Sequence, residues 1–398
     1  MDWSKQKRSS FSMGSLNAPA YPHQHHQNIS SSTQQRPVLQ QPLSALPVRS
    51  AYYESHGPLF CSDWKPTEQH SFHTIAVSSY REHSYNKIEI VEASPELVEQ
   101  VDGNRGGGGL SLKKFADATV DLPVTKLQWD PSGSNKLVTT TNVLTVWELS
   151  PDNRLVAHST VANKGDDLTR ASHPPLTSFD WNKVNPNLII TSSIDTTCTV
   201  WDLHRPIYPK TQLIAHDSEV FDVAFIKGST DIFASVGHDG SVRMFDLRCL
   251  EHSTIVYEPR GPEEVGAMPG KTNDMNSLPL LRLATSNTDS NVMATFVGGS
   301  DSIAIIDMRY PGYASSMLKG HSSPLNSIQW HPSQSKLLSG ADDCQALVWD
   351  LKESRLRNGT GLPSGVYGDM MEINNVSWSS DGEWFGVVAG KGLQAVRV

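Results

Sequence analysis

The stretch TSSIDTTCTVWDL, over 191–203, combines several hydroxyls with a thiol and a carboxylate, and these residue types could do chemistry. A serine, threonine or cysteine side chain can act as a nucleophile when a neighbouring group activates it. The stretch could therefore indicate a nucleophile and its helpers, or it could be part of a folded strand.

An internal repeat positions these residues. A short alternating strand that ends in a large residue recurs along the chain, and polar turns separate it from a second and a third strand. The shorter intervals, such as Trp181 to Phe225, match the period of about 40–45 residues of four-stranded propeller blades. The sequence therefore predicts an all-β, seven-bladed β-propeller. Its seven anchors are Trp64, Trp129, Trp181, Phe225, Thr285, Trp330 and Trp378.

Composition divides the chain into two parts. Residues 1–48 are rich in Ser, Gln, Pro and His, and have too few large apolar side chains to offset the entropy of ordering by burial. We therefore expect a disordered low-complexity tail there and the propeller over 49–398. Two longer intervals contain insertions at 101–112 and 258–279, which are glycine-rich or turn-rich and are predicted to be surface loops.

Charge is distributed unevenly between these parts. The formal net charge is −9, but residues 1–50 have a net charge of +4, which leaves −13 for the rest. Because affinity for nucleic acid comes largely from Lys and Arg, direct nucleic-acid binding is not expected. No apolar run approaches the roughly 20 residues that cross a bilayer, so no membrane association is expected. The charged residues of that first segment are Lys5, Lys7, Arg8, Arg36, Arg49 and Asp2.

The four cysteines lie far apart, form no C-x-x-C pair and are too few for a disulfide scaffold. A reducing compartment, the cytoplasm or the nucleus, is therefore expected. Known nucleophile, zinc-hydrolase and phosphate-loop motifs are absent from the sequence, so we predict no enzyme, cofactor or metal. A propeller hydrolase remains the remote alternative. Histidines and carboxylates gathered in a central channel would favour it, whereas confinement between blades would favour packing.

The repeat also explains the stretch TSSIDTTCTVWDL. It forms the second strand, the tight turn and the third strand of one blade. Asp195 falls in the turn, where its carboxylate can accept backbone N–H groups. Trp201 is expected to pack between neighbouring blades. Both residues are therefore predicted to be structural.

These units resemble the WD-repeat propellers, because Trp-Asp pairs occur at 201–202 and 349–350 and a signature histidine precedes two of the anchors. The resemblance implies a buried hydrogen-bonded set of histidine, strand hydroxyl, turn aspartate and Trp. Phe245 replaces the Trp in one set, which is expected to weaken it. The sets implied are His216, Ser235 and Asp239, and His321, Ser339, Asp343 and Trp349.

A narrower resemblance covers about residues 50–398. The stretches PPLTSFDWNKVNPNLIITSSIDTTCTVWDL and FASVGHDGSVRMFDLRCLEHSTIVYE, among others, are similar to the Transparent Testa Glabra type of WD-repeat protein. In that family the chain before blade 1 supplies the outer strand of the last blade, here SAYYE at 50–54. This closure would also remove two unpaired sheet edges.

The resemblance implies a function in assembly. The animal member of that family is a cullin-ligase-associated WD-repeat factor that scaffolds DYRK and HIPK kinases. We therefore expect a non-enzymatic scaffold, a monomeric propeller within complexes, with a DYRK-type kinase and transcription regulators as partners in cytoplasm and nucleus. Loops that lead into the first strands are the expected partner-binding sites. The candidate residues are His216, Asp217, Glu219, His238, Asp342, Glu372, Ile373 and Asn374.

A second binding function stays open. Two third strands end in a pattern similar to the W-D-x-R motif of substrate receptors that dock on a cullin-based ubiquitin ligase through an adaptor. The arginines could make charge-assisted contacts with that adaptor. The alternative for each is a salt bridge at the rim of the propeller. The residues are Asp246 and Arg248 in FDLR, and Asp307 and Arg309 in IDMR.

Overall fold

The computed structural model describes residues 50–67, 73–82, 84–95, 110–163, 173–204, 207–259, 278–354 and 360–398. The predicted tail at 1–48 lies outside these ranges, and its boundary with the propeller stays a prediction. Within the described residues the strands form seven antiparallel sheets, each the equivalent of one predicted repeat. The protein is a seven-bladed, all-β propeller, as the sequence predicted.

Within each blade the strands follow chain order from the inner to the outer edge, apart from β1 (Ser50–Glu54), which joins blade 7, and β25 (Thr360–Gly361), which adds a parallel strand to blade 5. Short turns allow this order, because antiparallel neighbours need only a tight connection. The first strand of every blade ends at the predicted anchor. Blade 1 comprises β2 (Leu59–Trp64), β3 (His73–Ser79), β4 (Asn86–Pro95) and β5 (Leu110–Val120); blade 2 comprises β6 (Lys126–Trp129), β7 (Lys136–Thr140), β8 (Leu144–Leu149) and β9 (Leu155–Val161); blade 3 comprises β10 (Leu176–Trp181), β11 (Leu188–Ser193), β12 (Thr197–Asp202) and β13 (Tyr208–Ile214).

The later blades repeat this plan with small additions. A helical turn, α1 (Leu351–Ser354), and the short strand β25 (Thr360–Gly361), which pairs with β21 of blade 5, interrupt blade 6. Blade 4 comprises β14 (Val220–Phe225), β15 (Ile232–Gly237), β16 (Val242–Asp246) and β17 (Cys249–Tyr257); blade 5 comprises β18 (Leu280–Thr285), β19 (Val292–Val297), β20 (Ser302–Asp307) and β21 (Ser316–Lys319); blade 6 comprises β22 (Leu325–Trp330), β23 (Lys336–Ala341), β24 (Gln345–Asp350) and β26 (Gly365–Gly368); blade 7 comprises β27 (Ile373–Trp378), β28 (Trp384–Ala389) and β29 (Gly392–Arg397).

The ring closes through the strand that precedes blade 1. The strand β1 (Ser50–Glu54) pairs antiparallel with β29, with Ser50 opposite Val396 and Glu54 opposite Gly392. It thereby becomes the outer strand of blade 7, as the resemblance implied. This pairing gives β29 a hydrogen-bonded neighbour on its outer side, so its backbone N–H and C=O groups do not form an open sheet edge.

The hydrophobic core is divided into seven clusters, and each lies between two neighbouring blades. The cluster between blades 7 and 1, for example, joins Trp64 of β2 to Trp384 of β28 and Leu393 of β29. Alternation along each strand directs large apolar side chains towards these contacts. Because every blade shares its core with two others, the described ring packs as one body.

One predicted loop is shorter than expected. Leu110, Ser111 and Leu112, which were assigned to the loop 101–112, begin the strand β5 and pair with Pro95, Ser94 and Ala93. The sequence did not indicate this start of the strand, because the glycine run at 106–109 does not alternate between apolar and polar residues. Residues 101–109 and 260–277 lie outside the described residues.

Candidate functional site

The histidine set of blade 6 is a continuous buried chain of hydrogen bonds. His321 Nε2 lies 2.7 Å from Ser339 Oγ, and His321 Nδ1 lies 2.9 Å from an Asp343 carboxylate oxygen. The Trp349 indole N–H donates to Ser339 Oγ at 2.8 Å. Since burial lowers the pKa of His321 against the opposing charge of Asp343, its imidazole stays neutral. A neutral ring satisfies both contacts when Nδ1–H donates to Asp343 and Nε2 accepts from Ser339.

Blade 4 builds a similar set with different partners. His216 Nε2 lies 2.8 Å from Ser235 Oγ, and His216 Nδ1 lies 2.9 Å from Asp239 Oδ1. Arg243 Nη2 donates to Asp239 at 3.0 Å and also to Asp217 at 2.8 Å. Burial alone would raise the pKa of Asp239, but the hydrogen bonds and charge around it lower that pKa overall.

The position of the missing indole in blade 4 is filled by apolar and sulfur contacts. Phe245 stacks on Phe233 with ring centroids 5.0 Å apart. The Cys198 thiol of blade 3 lies beside Ser235 in the cluster between blades 3 and 4, and burial raises the pKa of Cys198, which keeps the thiol protonated. The sequence pattern gave no sign that Cys198 or Arg243 would join this set.

The stretch TSSIDTTCTVWDL has a structural role. The Trp201 indole donates to Thr191 Oγ1 at 2.9 Å, and Trp201 packs in the cluster between blades 2 and 3. The Asp195 carboxylate accepts from the N–H and the hydroxyl of Thr197. Blade 2 repeats the indole contact, which the sequence analysis missed, between Trp147 and Thr139 at 2.8 Å.

Polar side chains join the inner strands around a central channel. In four places the residue before an anchor accepts a hydrogen bond from the backbone N–H of the next blade's anchor. These bonds satisfy N–H groups at the exposed edge of each inner strand, which would otherwise lack partners. They pair Asp63 with Trp129, Gln128 with Trp181, Asp180 with Phe225, and Gln329 with Trp378.

The channel cavity has a volume of about 260 Å³ and contains both carboxylates and cations. Burial raises the pKa of Asp63 to about 7 and raises that of Asp180, although nearby lysines oppose the shift. Asp222 accepts from the N–H of Leu283 at 2.9 Å and lies 3.6 Å from Lys126 Nζ. The lining residues include no histidine. Carboxylates therefore gather in the channel, but the described ones hold blades together and none is paired with an imidazole.

The two ends of the propeller differ in charge. One end consists of the loops that lead into inner strands and the turns between second and third strands, and we call it the acidic end. Its described loops contain two cations, Arg81 and Lys391. The opposite end, the mixed end, has cations and carboxylates in nearly equal number. The acidic residues of the acidic end are Glu82, Asp121, Asp195, Asp217, Glu219, Asp239, Glu258, Asp301, Asp342, Asp343, Asp369 and Glu372.

The predicted partner-binding residues divide by exposure. The side chains of Asp217 and His238 are 84% and 53% exposed, and His238 lies 3.1 Å from the partly exposed Glu219. Glu372 is exposed, and Asp342 accepts from Asn326. All of these lie at the acidic end and remain available to a partner.

Two of the predicted residues are buried, so their side chains do not form the surface of the loops. His216 is 1% exposed, because the set of blade 4 encloses it, and Ile373 is 0% exposed in the cluster between blades 6 and 7. Asn374 is partly buried and donates to the Leu59 carbonyl of blade 1 at 3.0 Å. A direct contact of Asn374 with a partner stays a prediction.

At the mixed end, the two predicted Asp–Arg pairs form bidentate forks. Arg248 Nε and Nη2 donate to Asp246 at 2.8 and 2.6 Å, and Arg309 repeats this geometry with Asp307. The hydrogen bonds from Arg248 lower the pKa of Asp246 to about 2. Each Asp also accepts the backbone N–H of its arginine. The Asp therefore fixes the turn, and the guanidinium remains half or more exposed.

The described residues contain neither a metal-binding group of side chains nor a membrane-spanning helix. No group of three His, Cys, Asp or Glu side chains there is arranged to hold a metal ion. None of the described helices has the length and apolar character needed to cross a membrane.

Together, the closed ring and its buried histidine sets define a propeller of the WD-repeat class. The family model for the WD domain, G-beta repeat, matches residues 208–246 and 312–350, the stretches that contain the two histidine sets.

Three relatives match most of the chain. A WD repeat-containing protein, YPL247C, of Saccharomyces cerevisiae is 39% identical over 87% of this chain and 76% of its own length. An uncharacterized WD repeat-containing protein of Schizosaccharomyces pombe is 37% identical over 85% of this chain and 87% of the relative. The DDB1- and CUL4-associated factor 7 homolog of Dictyostelium discoideum is 36% identical over 87% of this chain and 98% of the relative. This chain belongs to the WD-repeat family that these proteins share.

Proposed function

We propose that this protein is a non-enzymatic scaffold that holds a DYRK-type kinase together with transcription regulators, in the cytoplasm and the nucleus, as a monomeric propeller within larger complexes. The observation that supports it is the closed ring with two chemically different loop ends. A body of this kind can bind separate partners at once, and linked binding events gain from effective concentration.

The scaffold proposal is tested by affinity capture. The tagged full chain would be expressed in cells, and the recovered proteins identified by mass spectrometry and by kinase assay. We expect recovery of a DYRK-type kinase and of transcription regulators in one complex. Recovery of neither class, with the propeller itself folded and soluble, would reject the scaffold function.

A second candidate function is that of a substrate receptor for a cullin-RING ubiquitin ligase. It is supported by the two Asp–Arg forks on the neighbouring blades 4 and 5, whose guanidinium groups are exposed at one end of the ring. The printed name of the Dictyostelium relative also associates that protein with DDB1 and CUL4. Replacing both Arg248 and Arg309 with Ala should remove a ligase adaptor from the captured complex and leave the kinase. An adaptor that stays bound to this variant, or that is never recovered, argues against ligase docking.

A further inference from the structure

An exposed apolar patch lies at the acidic end between blades 6 and 7. Met370 is 96% exposed and Met371 is 55% exposed, so neither is explained by packing of the core. Tyr52 of the closing strand is 58% exposed and lies over Gly392, two residues after the glycine that Met371 covers. Large apolar side chains that a fold leaves in solvent together commonly mark an interaction surface. We call these residues, with the carboxylates Asp342, Asp369 and Glu372, the methionine patch.

Local contacts hold the patch together. The Asp369 carboxylate accepts from the N–H groups of Met370 and Met371, and the Asp369 N–H donates to the Cys344 carbonyl at 2.8 Å. Met371 lies so close to Gly390 that a Cβ on that glycine would be 3.1 Å from the Met371 sulfur. A Cβ on Gly392 would likewise meet the Tyr52 ring. Both apolar side chains therefore cover the same turn, between β28 and β29.

Negative charge surrounds the patch. Asp342 and Asp343 directly precede Cys344, whose carbonyl accepts the Asp369 N–H, and the exposed Glu372 directly follows Met371, so these four carboxylates lie on the two loops that meet at the patch. The described loops of blades 6 and 7 at the acidic end contain one Lys or Arg residue, Lys391, in the turn between β28 and β29. The acidic end as a whole repels anions, so a nucleic acid or an anionic membrane is a poor occupant.

We propose that the methionine patch binds a basic segment of a partner protein, in which Lys or Arg side chains flank one or two large apolar residues. Methionine adapts to different apolar shapes, and the ring of carboxylates selects for positive charge. This inference rests on the scaffold function and names the chemistry of one partner. The complementary charge also predicts that binding weakens as salt is added, because exposed charges are screened.

The test uses a phage-displayed library of random 16-residue peptides selected against the full chain. We expect enriched peptides to contain Lys or Arg beside large apolar residues, and the synthetic peptides to bind in a fluorescence polarisation assay. Glu372→Lys combined with Met370→Ser should weaken that binding at least about tenfold, which corresponds to roughly 1.4 kcal/mol. Met370→Ser alone serves as a second variant, since a side chain that is 96% exposed is not needed for folding.

The matched control changes the same residue types on outer strands far from the patch. Val156, 52% exposed on β9, becomes Ser, and the exposed Glu251 on β17 becomes Lys. This control should bind the peptides as the unchanged protein does. The proposal is overturned if the enriched peptides are neutral or acidic, if no peptide is enriched, or if the patch variants bind as tightly as the control. Partner capture that persists in the patch variants would leave the scaffold function standing while removing this surface from it.

Discussion

Blades 4 and 6 contain the same histidine, serine and aspartate, but they complete the set in different ways. Blade 6 uses the Trp349 indole as the donor to its serine. Blade 4 has no indole at that position; the Cys198 thiol of the neighbouring blade lies beside its serine, and Arg243 is added as a cationic partner for Asp239. The comparison shows that the histidine, serine and aspartate form the same hydrogen bonds with and without an indole, and that the set without it has an arginine partner near the surface.

The two sets consequently differ in solvation. The Asp343 side chain of blade 6 is 4% exposed, whereas Asp239 and Arg243 of blade 4 are 16% and 19% exposed. A charge pair near the surface contributes less to stability than a fully enclosed network, because water competes for it. We therefore expect the blade 6 set to contribute more to the stability of the propeller.

The largest expected effect tests this difference directly. His321→Ala should lower the free energy of unfolding by about 3 kcal/mol, because it leaves a buried cavity and removes partners from Ser339 and Asp343. His216→Ala should cost about 1 kcal/mol less, since Arg243 and Ser241 still bind Asp239. Urea denaturation followed by tryptophan fluorescence measures both. Equal losses would contradict the proposed difference between the sets.

A smaller effect is expected from removing the indole donor alone. Trp349→Phe keeps most of the apolar contact in the cluster between blades 5 and 6 but leaves Ser339 with one partner fewer. We expect a loss of about 1–2 kcal/mol, the range for one buried hydrogen bond with some lost packing. The control is Trp201→Phe in blade 3, whose indole binds Thr191 without a histidine. It should cost less because no imidazole depends on that hydroxyl.

Mild acid should destabilise the protein through the histidine set of blade 6. The pKa of His321 is lowered by burial from an unfolded value of 6.5, so the unfolded chain takes up the proton first and stability falls as the pH drops below 6.5. The pKa of Asp239 is lowered from 3.8, so its contribution is lost only below that value. Between pH 7.5 and 5.5, His321→Gln should therefore reduce the pH dependence of unfolding by about 1 kcal/mol. An identical pH dependence in the His321 variant and the unchanged protein would refute the assignment.

The smallest expected effect comes from restoring the family residue in blade 4. Phe245→Trp should change the free energy of unfolding by less than about 0.5 kcal/mol or lower it slightly. Phe233 stacks on the ring that would be replaced, and the larger indole would have to fit into a buried cluster that already packs around Phe245. A gain of stability in a thermal melt would show instead that blade 4 is an incomplete version of blade 6.

The local sequence pattern was sufficient to predict the features that lie within a single blade. The anchors, the second and third strands and the turn at Asp195 follow from alternation and turn residues. Features that join two blades were not predictable in this way. The bond from the Trp129 N–H to Asp63 and the contact of Cys198 with Ser235 depend on how neighbouring inner strands align. Ile373 was predicted to lie in a loop that contacts a partner. Its burial depends on contacts with blade 6, which the pattern of its own strand does not show.

By itself, the sequence determined the number of blades, because the blades arise from a repeated local pattern, whereas the closing strand and the residues of the two histidine sets were implied by the family resemblance. Only the tertiary structure decided which of the polar residues face a partner. Exposure depends on what the adjacent blade covers, and that is why Glu372 reaches solvent while Ile373, one residue later, is fully buried. The concentration of negative charge at one end has the same origin, since it appears only when loops distant in sequence are brought to one side of the ring.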